Sequence, residues 1–368
     1  MHSRRNFLSA TAALPLTALL AAKPTWAETT SMTTEATPAH LSGNPASPFS
    51  TQPWDGQNRV DMGAYAVERV TFECDGLQIV GNLFIPARPG GNPGIVMTGP
   101  VAYIKEQAPM QYASRLAREG YVTLIYDPRY HGESGGMPRR FESRQAKVED
   151  VRAAVAYLTT RPEVDRSRVH VVGFCQGMNW AVEAAAGDPN VRSVALVAGH
   201  YLMPETAALY LGNPENVARR LDRARQSRST FETSGQVDYI PIVSLDDPDA
   251  LLPARAIHDF YYHWADRGPF AAHHGLWENR ITRMSEADIW GHRVDEQLKR
   301  LNKPTLMVHS DRAASGPKIP RQLFDVIASR DKQAVWFEGR NQIQFYQDPL
   351  TIDLVIPHLD AHFRKFSA

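Results

Sequence analysis

The sequence predicts an α/β fold: a mostly parallel, doubly wound sheet with an N-terminal antiparallel hairpin and a helical insertion. Apolar strands alternate with helical stretches over most of the chain, which is typical of a parallel sheet covered on both faces. Apolar and polar residues also alternate on both sides of Asp75-Gly76, a two-residue turn signal that predicts the hairpin. The parallel strands are predicted at residues 94–98, 121–127, 168–174, 191–198, 304–310 and 333–337.

Helical periodicity supports the same class of fold. Apolar residues recur at helical spacing over residues 110–117, which Gly120 ends, and over residues 148–158. A last helix is predicted over residues 352–363, where Pro357 must either kink the helix or mark its start.

The first 27 residues have the features of a twin-arginine export signal. Arg4 and Arg5 precede an apolar stretch, and Thr25-Trp26-Ala27 supplies small residues suited to cleavage. Pro15 and the weak hydrophobicity of the stretch argue against the alternative, a short membrane anchor. We therefore expect the twin-arginine export machinery as a partner, a periplasmic mature protein, and no stable membrane span after cleavage.

The rest of the chain divides into a tether and one large core. Residues 28–58 are rich in Thr, Ser, Pro and Ala and cannot bury enough apolar surface to offset their chain entropy, so we predict a disordered tether. The core is predicted at residues 59–202 and 303–368, and residues 203–302 form the insertion.

The insertion is helical in pattern and rich in aromatic residues, among them Tyr210, Tyr261 and Trp290. It follows the strand at 191–198, so it is expected over the carboxyl edge of the sheet, where open α/β folds bind ligands. We interpret it as a lid. The alternative is that most of these aromatics only pack the core of the insertion itself.

Composition excludes several classes of protein. Removing the export signal takes Arg4, Arg5 and Lys23 from 40 basic residues and nothing from 40 acidic ones, so the mature net charge is −3 and no nucleic-acid partner is indicated. The two cysteines, Cys74 and Cys175, are expected to be free thiols. His273-His274 lack the spacing of metal ligands, and no phosphate loop or dinucleotide fingerprint is present, so we expect no metal and no cofactor.

Cys175 is the candidate nucleophile. It lies in Gly173-Phe174-Cys175-Gln176-Gly177, between the apolar run at 169–172 and a small-residue helix. This is the strand, turn and helix arrangement of a nucleophile elbow with sulfur in place of oxygen. The helix aims its N-terminal amides at the thiol, so a stabilised thiolate is expected.

A second match to the same motif is rejected. Gly132-Glu133-Ser134-Gly135-Gly136 fits G-x-S-x-G, but it begins several residues after its strand and runs into Met137-Pro138-Arg139 rather than a helix. Without that setting the serine is not presented to a substrate, so Ser134 is predicted to be a loop residue.

From about Val67 to Phe363 the chain resembles an α/β-hydrolase, and more narrowly the dienelactone-hydrolase-related branch, whose elbow often carries cysteine. The motifs that carry the resemblance are the elbow, Lys105-Glu106-Gln107 and the run from Tyr126 to Gly136. The resemblance implies an oxyanion hole made by the backbone N–H of Gln176 and of Val101, since Pro100 has no N–H to give.

The resemblance also implies an acid and a base. Asp311 stands in the position of the triad acid, the alternative being a helix or turn cap. Gln342 stands where the family has its histidine. Glutamine cannot take a proton at neutral pH, so acylation of a thiolate is conceivable but hydrolysis of the thioester lacks an activated water.

His200 is the candidate substitute base. It ends the strand next to the elbow strand, and neighbouring strands are about 5 Å apart, so it is expected at the same sheet edge as Cys175. The alternative is an ordinary polar residue at a strand end. His131 and His309 also end strands, but farther along the sheet.

These residues predict an exported hydrolase that cleaves a small or medium ester, lactone or thioester through a Cys175 acyl-enzyme. Its partner is a small-molecule acyl substrate, and its base is either His200, with or without Asp311, or absent. Two alternatives follow from Gln342: a hydrolase-like binding protein without turnover, and an acyltransferase.

Overall fold

The computed structural model describes residues 58–262, 264 and 276–367. The predicted export signal and, apart from Asn58, the predicted tether lie outside these residues, as do His273 and His274. Within the described part of the chain, no helix is both long enough and apolar enough to cross a bilayer.

In the described residues, nine strands form one sheet in the order β1-β2-β3-β5-β4-β6-β7-β10-β11. The pairs β1–β2, β2–β3 and β3–β5 are antiparallel. From β5 to β11 in this order, neighbouring strands are parallel. The fold class predicted from the sequence is therefore confirmed. The strands of this sheet are β1 Arg59–Asp61, β2 Tyr65–Cys74, β3 Leu77–Pro86, β4 Asn92–Thr98, β5 Val122–Tyr126, β6 Val164–Phe174, β7 Val191–Val197, β10 Thr305–Arg312 and β11 Lys332–Asn341. A separate short ladder pairs β8 Tyr239–Ile240 with β9 Ile281–Thr282.

The predicted hairpin joins β2 to β3 through Asp75 and Gly76. Cys74 pairs directly with Leu77, and the two turn residues have φ of 53° and 69°. Positive φ at both central positions is the mark of the tight turn that matches the twist of paired strands.

Helices cover both faces of the sheet, and the predicted stripes face the core. Met110, Ala113, Leu116 and Ala117 are buried, as are the apolar residues of the second stripe. The helices outside the insertion are α1 Ala108–Arg118, α2 Arg144–Thr159, α3 Gly177–Gly187, α9 Lys318–Val326, α10 Gln344–Gln347 and α11 Pro349–Lys365. Pro357 lies inside α11, so it does not mark the start of that helix.

The segment predicted to be an insertion lies between β7 and β10 in the chain. Its helices are α4 Pro204–Leu211, α5 Pro214–Ser234, α6 Arg255–Tyr262, α7 Ser285–Trp290 and α8 Val294–Leu298. Several of its aromatic residues reach the core, including Tyr261, Trp277 and Trp290, which are buried and belong to the main hydrophobic cluster. The insertion is thus packed onto the sheet edge that carries Cys175.

Candidate active site

Cys175 sits at a strained turn between β6 and α3. Its φ is +52°, a left-handed conformation that non-glycine residues rarely adopt. The turn is fixed from both sides, because the Cys175 N–H donates to Val197 O at 3.1 Å and the His200 N–H donates to Cys175 O at 3.0 Å. Strain of this kind persists where the surrounding structure over-determines the backbone, as at functional sites.

The two glycines of the elbow are required by close packing. A Cβ atom on Gly177 would lie 2.3 Å from Gly99 O, and one on Gly173 would lie 2.4 Å from Met178 Cα. Neither neighbour can move aside, since both are backbone atoms. At Gly177 the elbow packs closely against the loop after β4, and at Gly173 it packs closely against the start of α3.

Two backbone amides face the sulfur. Burial raises the pKa of the Cys175 thiol, and hydrogen bonds from the Tyr346 side chain and from the N–H groups of Gln176 and Val101 oppose that rise. Both residues are buried. The structure thus brings together the two amides that the resemblance implies for an oxyanion hole.

The loop that carries Val101 is held in place largely by other elements. Tyr261 Oη donates to Val101 O at 2.6 Å and Trp277 Nε1 donates to Ala102 O at 3.0 Å. The Ala102 N–H donates to Glu142 Oε1 at 3.2 Å, and the same oxygen accepts from Gln176 Nε2 at 3.3 Å. Glu142 therefore ties the two amide-bearing segments together, while the insertion holds the loop from above.

The thiol itself is buried, and this outweighs the hydrogen bonds it receives. Burial raises the pKa of Cys175 to about 11, although Tyr346, the Gln176 N–H, Gln342 and the Val101 N–H all act to lower it. The expectation of a stabilised thiolate is therefore wrong for this conformation, because desolvation disfavours the charged form.

Gln342 lies beside the sulfur, at the position predicted from the sequence. Its Oε1 accepts from the Ala314 N–H at 2.7 Å, and its Nε2 donates to Ala198 O at 2.7 Å and to Tyr346 Oη at 2.6 Å. Both hydrogens of Nε2 and the oxygen Oε1 are thus hydrogen-bonded to neighbouring groups.

His200 lines the same cavity but does not act on the thiol. Burial lowers its pKa to about 4, and its Nε2 has no hydrogen-bond partner among the described residues. The imidazole packs on Tyr210, with ring centroids 4.6 Å apart, and lies 6.3 Å from the Trp290 ring. The predicted pairing of His200 with Cys175 is not made, because the ring is turned toward the aromatics of the insertion.

Asp311 does not take the position of a triad acid. The strand β10 continues to Arg312, so Asp311 is still part of it and its side chain is exposed. Its carboxylate accepts from the Gly339 N–H at 2.7 Å and from Ser310 Oγ at 3.0 Å, and the first of these bonds lowers its pKa. The prediction failed because the strand is longer than the apolar run that signalled it.

The other residues considered have structural roles. Ser134 is buried in a loop, where its hydroxyl donates to Asp127 O and accepts from the Val80 N–H, as predicted for a residue outside the site. His131 Nε2 lies 3.3 Å from Glu142 Oε2. His309 is held by backbone groups, with Nδ1 accepting from the Ser310 N–H at 2.8 Å.

A small cavity lies over the sulfur. It holds about 20 Å³, which is room for about one water molecule. The lining residues that the structure describes are apolar, aromatic or uncharged polar: Val101, Cys175, His200, Tyr210, Leu252, Ile257, Tyr261, Ala314, Gln342 and Tyr346. Elsewhere in the described residues, no group of three or more His, Cys, Asp or Glu side chains is arranged to hold a metal ion.

Sequence reasoning missed Tyr346 and Glu142, and it placed Tyr261 and Trp277 in the aromatic insertion without predicting their bonds to the loop of Val101. A signal existed only for Tyr346, which follows Gln342 by four residues and so returns to the same face of the turn that includes α10. The other three act through contacts with segments that are 40 to 175 residues away along the chain.

Comparison with known proteins identifies a family domain and several relatives. The model of the dienelactone hydrolase family matches residues 79–217, which include the elbow. The uncharacterized protein PA2218 of Pseudomonas aeruginosa is 30% identical over 375 residues, covering 98% of this chain and 96% of the relative. This chain therefore carries a dienelactone hydrolase family domain at residues 79–217 and is related to PA2218 over nearly its whole length.

Two fungal relatives carry more specific names. A thiohydrolase of Eupenicillium brefeldianum is 27% identical over 274 residues, which are 74% of this chain and 82% of the relative. The polyketide transferase grgF of Penicillium is 31% identical over 172 residues, 47% of this chain and 55% of the relative. The solved structure of GrgF, an alpha/beta hydrolase, superposes with a TM-score of 0.69 at 22% identity, over 82% of this chain and 98% of that one. The family domain and the relatives support a hydrolase, and the solved structure shows the same fold.

Proposed function

We propose that the protein is an exported hydrolase that cleaves an ester, lactone or thioester through an acyl-enzyme on Cys175. The observation that carries the proposal is a thiol held at a strained turn, facing the amides of Val101 and Gln176. Backbone amides in this position stabilise the oxyanion of a tetrahedral intermediate whatever nucleophile creates it.

In the first step the Cys175 sulfur attacks the acyl carbon and the carbonyl electrons move to oxygen. The oxyanion accepts from the two amides, the bond to the leaving atom breaks, and the acyl group remains on sulfur. In the second step water or another acceptor attacks the thioester and restores the thiol.

The side chains around the sulfur support an uncharged, largely apolar acyl group as substrate, which enters only when they move apart because the present cavity holds about one water molecule. Its described side chains carry no formal charge when His200 is neutral, and Tyr210, Leu252 and Tyr261 offer apolar surface. A charged acyl group would lose its hydration there without gaining an ion pair. The name of the thiohydrolase relative favours a thioester within this class.

Acyl transfer is the second candidate function. Gln342 stands where the resemblance places the base, and a carboxamide does not take a proton from water at neutral pH. An acyl-enzyme in such a pocket is slow to hydrolyse, so an incoming thiol or alcohol competes well with water. The name of the polyketide transferase relative is consistent with this candidate.

The test is release of p-nitrophenolate from p-nitrophenyl butyrate by the mature protein, the Cys175→Ala variant and, as a control, the Cys74→Ala variant. We expect the Cys74 variant to keep the activity and the Cys175 variant to lose it. Equal activity with and without the Cys175 thiol would refute the proposal.

The time course separates the candidates. Sustained release in water indicates a hydrolase, and a burst of one equivalent that resumes only when a thiol acceptor is added indicates an acyltransferase. A burst of one equivalent that does not resume when an acceptor is added would indicate a hydrolase-like binding protein without turnover.

Export is part of the proposal and rests on Arg4, Arg5 and the residues that follow them. The test is fractionation of cells that make the wild-type chain or a variant with both arginines replaced by lysine. We expect mature protein in the periplasm for the wild type and unprocessed protein in the cytoplasm for the variant. Processing of both chains would contradict the twin-arginine assignment.

A further inference from the structure

Tyr346 is the side chain whose proton the network around Gln342 directs toward the sulfur. The amide nitrogen Nε2 of Gln342 can only donate hydrogen bonds, so Tyr346 Oη is the acceptor in the 2.6 Å bond that joins them. The other N–H of Gln342 already donates to Ala198 O. The hydroxyl proton of Tyr346 is therefore left to point away from Gln342.

The group it points to is Cys175. Tyr346 and Cys175 line the same small cavity, and a hydrogen bond from the Tyr346 side chain is the largest effect that opposes the rise of the thiol pKa caused by burial. Tyr346 is itself almost fully buried, against Phe260, with ring centroids 5.2 Å apart. Its ring cannot swing out to solvent, so the hydroxyl stays beside the sulfur.

We propose that Tyr346, oriented by Gln342, is the proton donor to the leaving atom in the acylation of Cys175. This inference rests on the proposed function, because it assigns a second residue to the same reaction. In the tetrahedral intermediate the sulfur and the leaving atom are bonded to the same carbon, so a donor that contacts the sulfur can reach the leaving atom. Tyr346 is the catalytic residue in this assignment and Gln342 is the positioning residue.

The Cys175 thiolate, having lost its proton to solvent, attacks the acyl carbon, and the carbonyl electron pair moves to oxygen. When this pair returns, the bond from carbon to the leaving oxygen breaks and the alkoxide takes the proton of Tyr346. The products are an alcohol, the acyl-sulfur bond and a tyrosinate, which recovers its proton from water.

The strength of the leaving base decides how much this donor matters. Burial raises the pKa of Tyr346 well above its usual range, so the hydroxyl gives up its proton only to a strong base. An alkoxide is such a base, whereas p-nitrophenolate and a thiolate are not. Tyr346 is therefore needed for alkyl esters and lactones and is dispensable for activated esters and thioesters.

The experiment compares single-turnover acylation of wild type and Tyr346→Phe with two butyryl substrates, the p-nitrophenyl ester and the ethyl ester. We expect the variant to lose about 10²-fold or more on the ethyl ester, the usual range for a lost general acid, and less than about 10-fold on the activated ester. A merely structural role would lower both rates by the same factor. Equal losses on the two esters, or no loss, would overturn the proposal.

Two further variants serve as a control and as a test of the positioning residue. Tyr121→Phe removes another buried hydroxyl, which donates to Asp360 Oδ1 at 2.9 Å far from the site, and should leave the ratio of the two rates unchanged. Gln342→Ala should lower the ethyl ester rate selectively, as Tyr346→Phe does, because the hydroxyl loses its orientation. If Cys175→Ala retains activity, the proposed function is wrong. If activity depends on Cys175 but Tyr346→Phe leaves the ratio of the two ester rates unchanged, only the role of Tyr346 is wrong.

Discussion

At Cys175, burial and hydrogen bonding act on the thiol in opposite directions. Burial prevails and raises its pKa to about 11, so only about one thiol in ten thousand is ionised at pH 7. Gln342 lies beside the sulfur and its hydrogen bond opposes this rise, but a carboxamide does not titrate and so cannot take the proton of the thiol. The nucleophile therefore depends on the solution pH to lose its proton.

The pH dependence of acylation follows from this pKa. A thiolate nucleophile whose pKa is raised becomes more abundant as pH rises, so the burst rate with p-nitrophenyl butyrate should increase about tenfold per unit from pH 7 to 10. Stopped-flow measurement of the burst checks this. A rate that levels off between pH 6 and 8 would instead reveal a histidine base.

Gln342→His supplies the matched comparison at the same position. An imidazole beside the sulfur can take its proton near neutral pH, so we expect the burst rate of this variant to level off near pH 7 and to exceed the wild-type rate there. The profiles of variant and wild type should converge above pH 9.

At the scale of elements, the elbow and the loop after β4 depend on each other. Gly177 lies at the start of α3 against Gly99 and Thr98, and the amides of both segments face the same sulfur. Anything that separates the two segments therefore disturbs the site as well as the packing.

Gly177→Ala tests this dependence. The added Cβ would lie 2.3 Å from Gly99 O, so we expect a loss of about 1–3 kcal/mol in the free energy of unfolding and loss of acylation. Gly187→Ala, at the other end of α3, places its Cβ 3.6 Å from the nearest atom and should be neutral or slightly stabilising. Urea unfolding of both variants checks the difference, and equal stability would contradict the packing argument.

Tyr261→Phe tests how the insertion holds the oxyanion loop. Losing the 2.6 Å bond to Val101 O should displace the Val101 amide slightly. We expect kcat to fall about tenfold with little change in KM, because this amide stabilises the oxyanion of the transition state more than it binds the substrate. Tyr239→Phe removes a comparable bond in the insertion, from Tyr239 Oη to Arg139 O, and is the control. Similar kinetics for the two variants would rule out this role.

The elements differ in how far the sequence could predict them. The hairpin, the parallel strands and the elbow follow from patterns within a dozen residues, and they were predicted. Asp311 was misplaced because periodicity locates the middle of β10 better than its end. Tyr261, Trp277 and Glu142 reach the site by tertiary contacts that no local pattern encodes.

Over the whole molecule, neutral buried histidines make stability sensitive to acid. Burial is the main cause that lowers the pKa of His170 and His292 to about 3 and of His200 and His362 to about 4. In the unfolded chain these groups gain protons near pH 6.5, so folded stability is full above that pH and falls as pH decreases toward 4.

Urea midpoints between pH 7.5 and 4.5 check this expectation. We expect a progressive decrease across the series, and a smaller one for His292→Phe, which removes an imidazole whose two nitrogens have no hydrogen-bond partner among the described residues. His292 packs edge-on against Trp180, with ring centroids 5.0 Å apart, so an aromatic replacement fits. A midpoint independent of pH would contradict the argument.

The central claim is that Cys175 carries the acyl group. Intact-mass and peptide analysis after rapid acid quenching of the mature protein with p-nitrophenyl butyrate tests it most directly. We predict one butyryl group, on the peptide that contains Cys175, and none on Cys175→Ala under the same conditions. A butyryl group on Ser134 or another residue, or release of p-nitrophenolate without any acylated Cys175, would contradict the account.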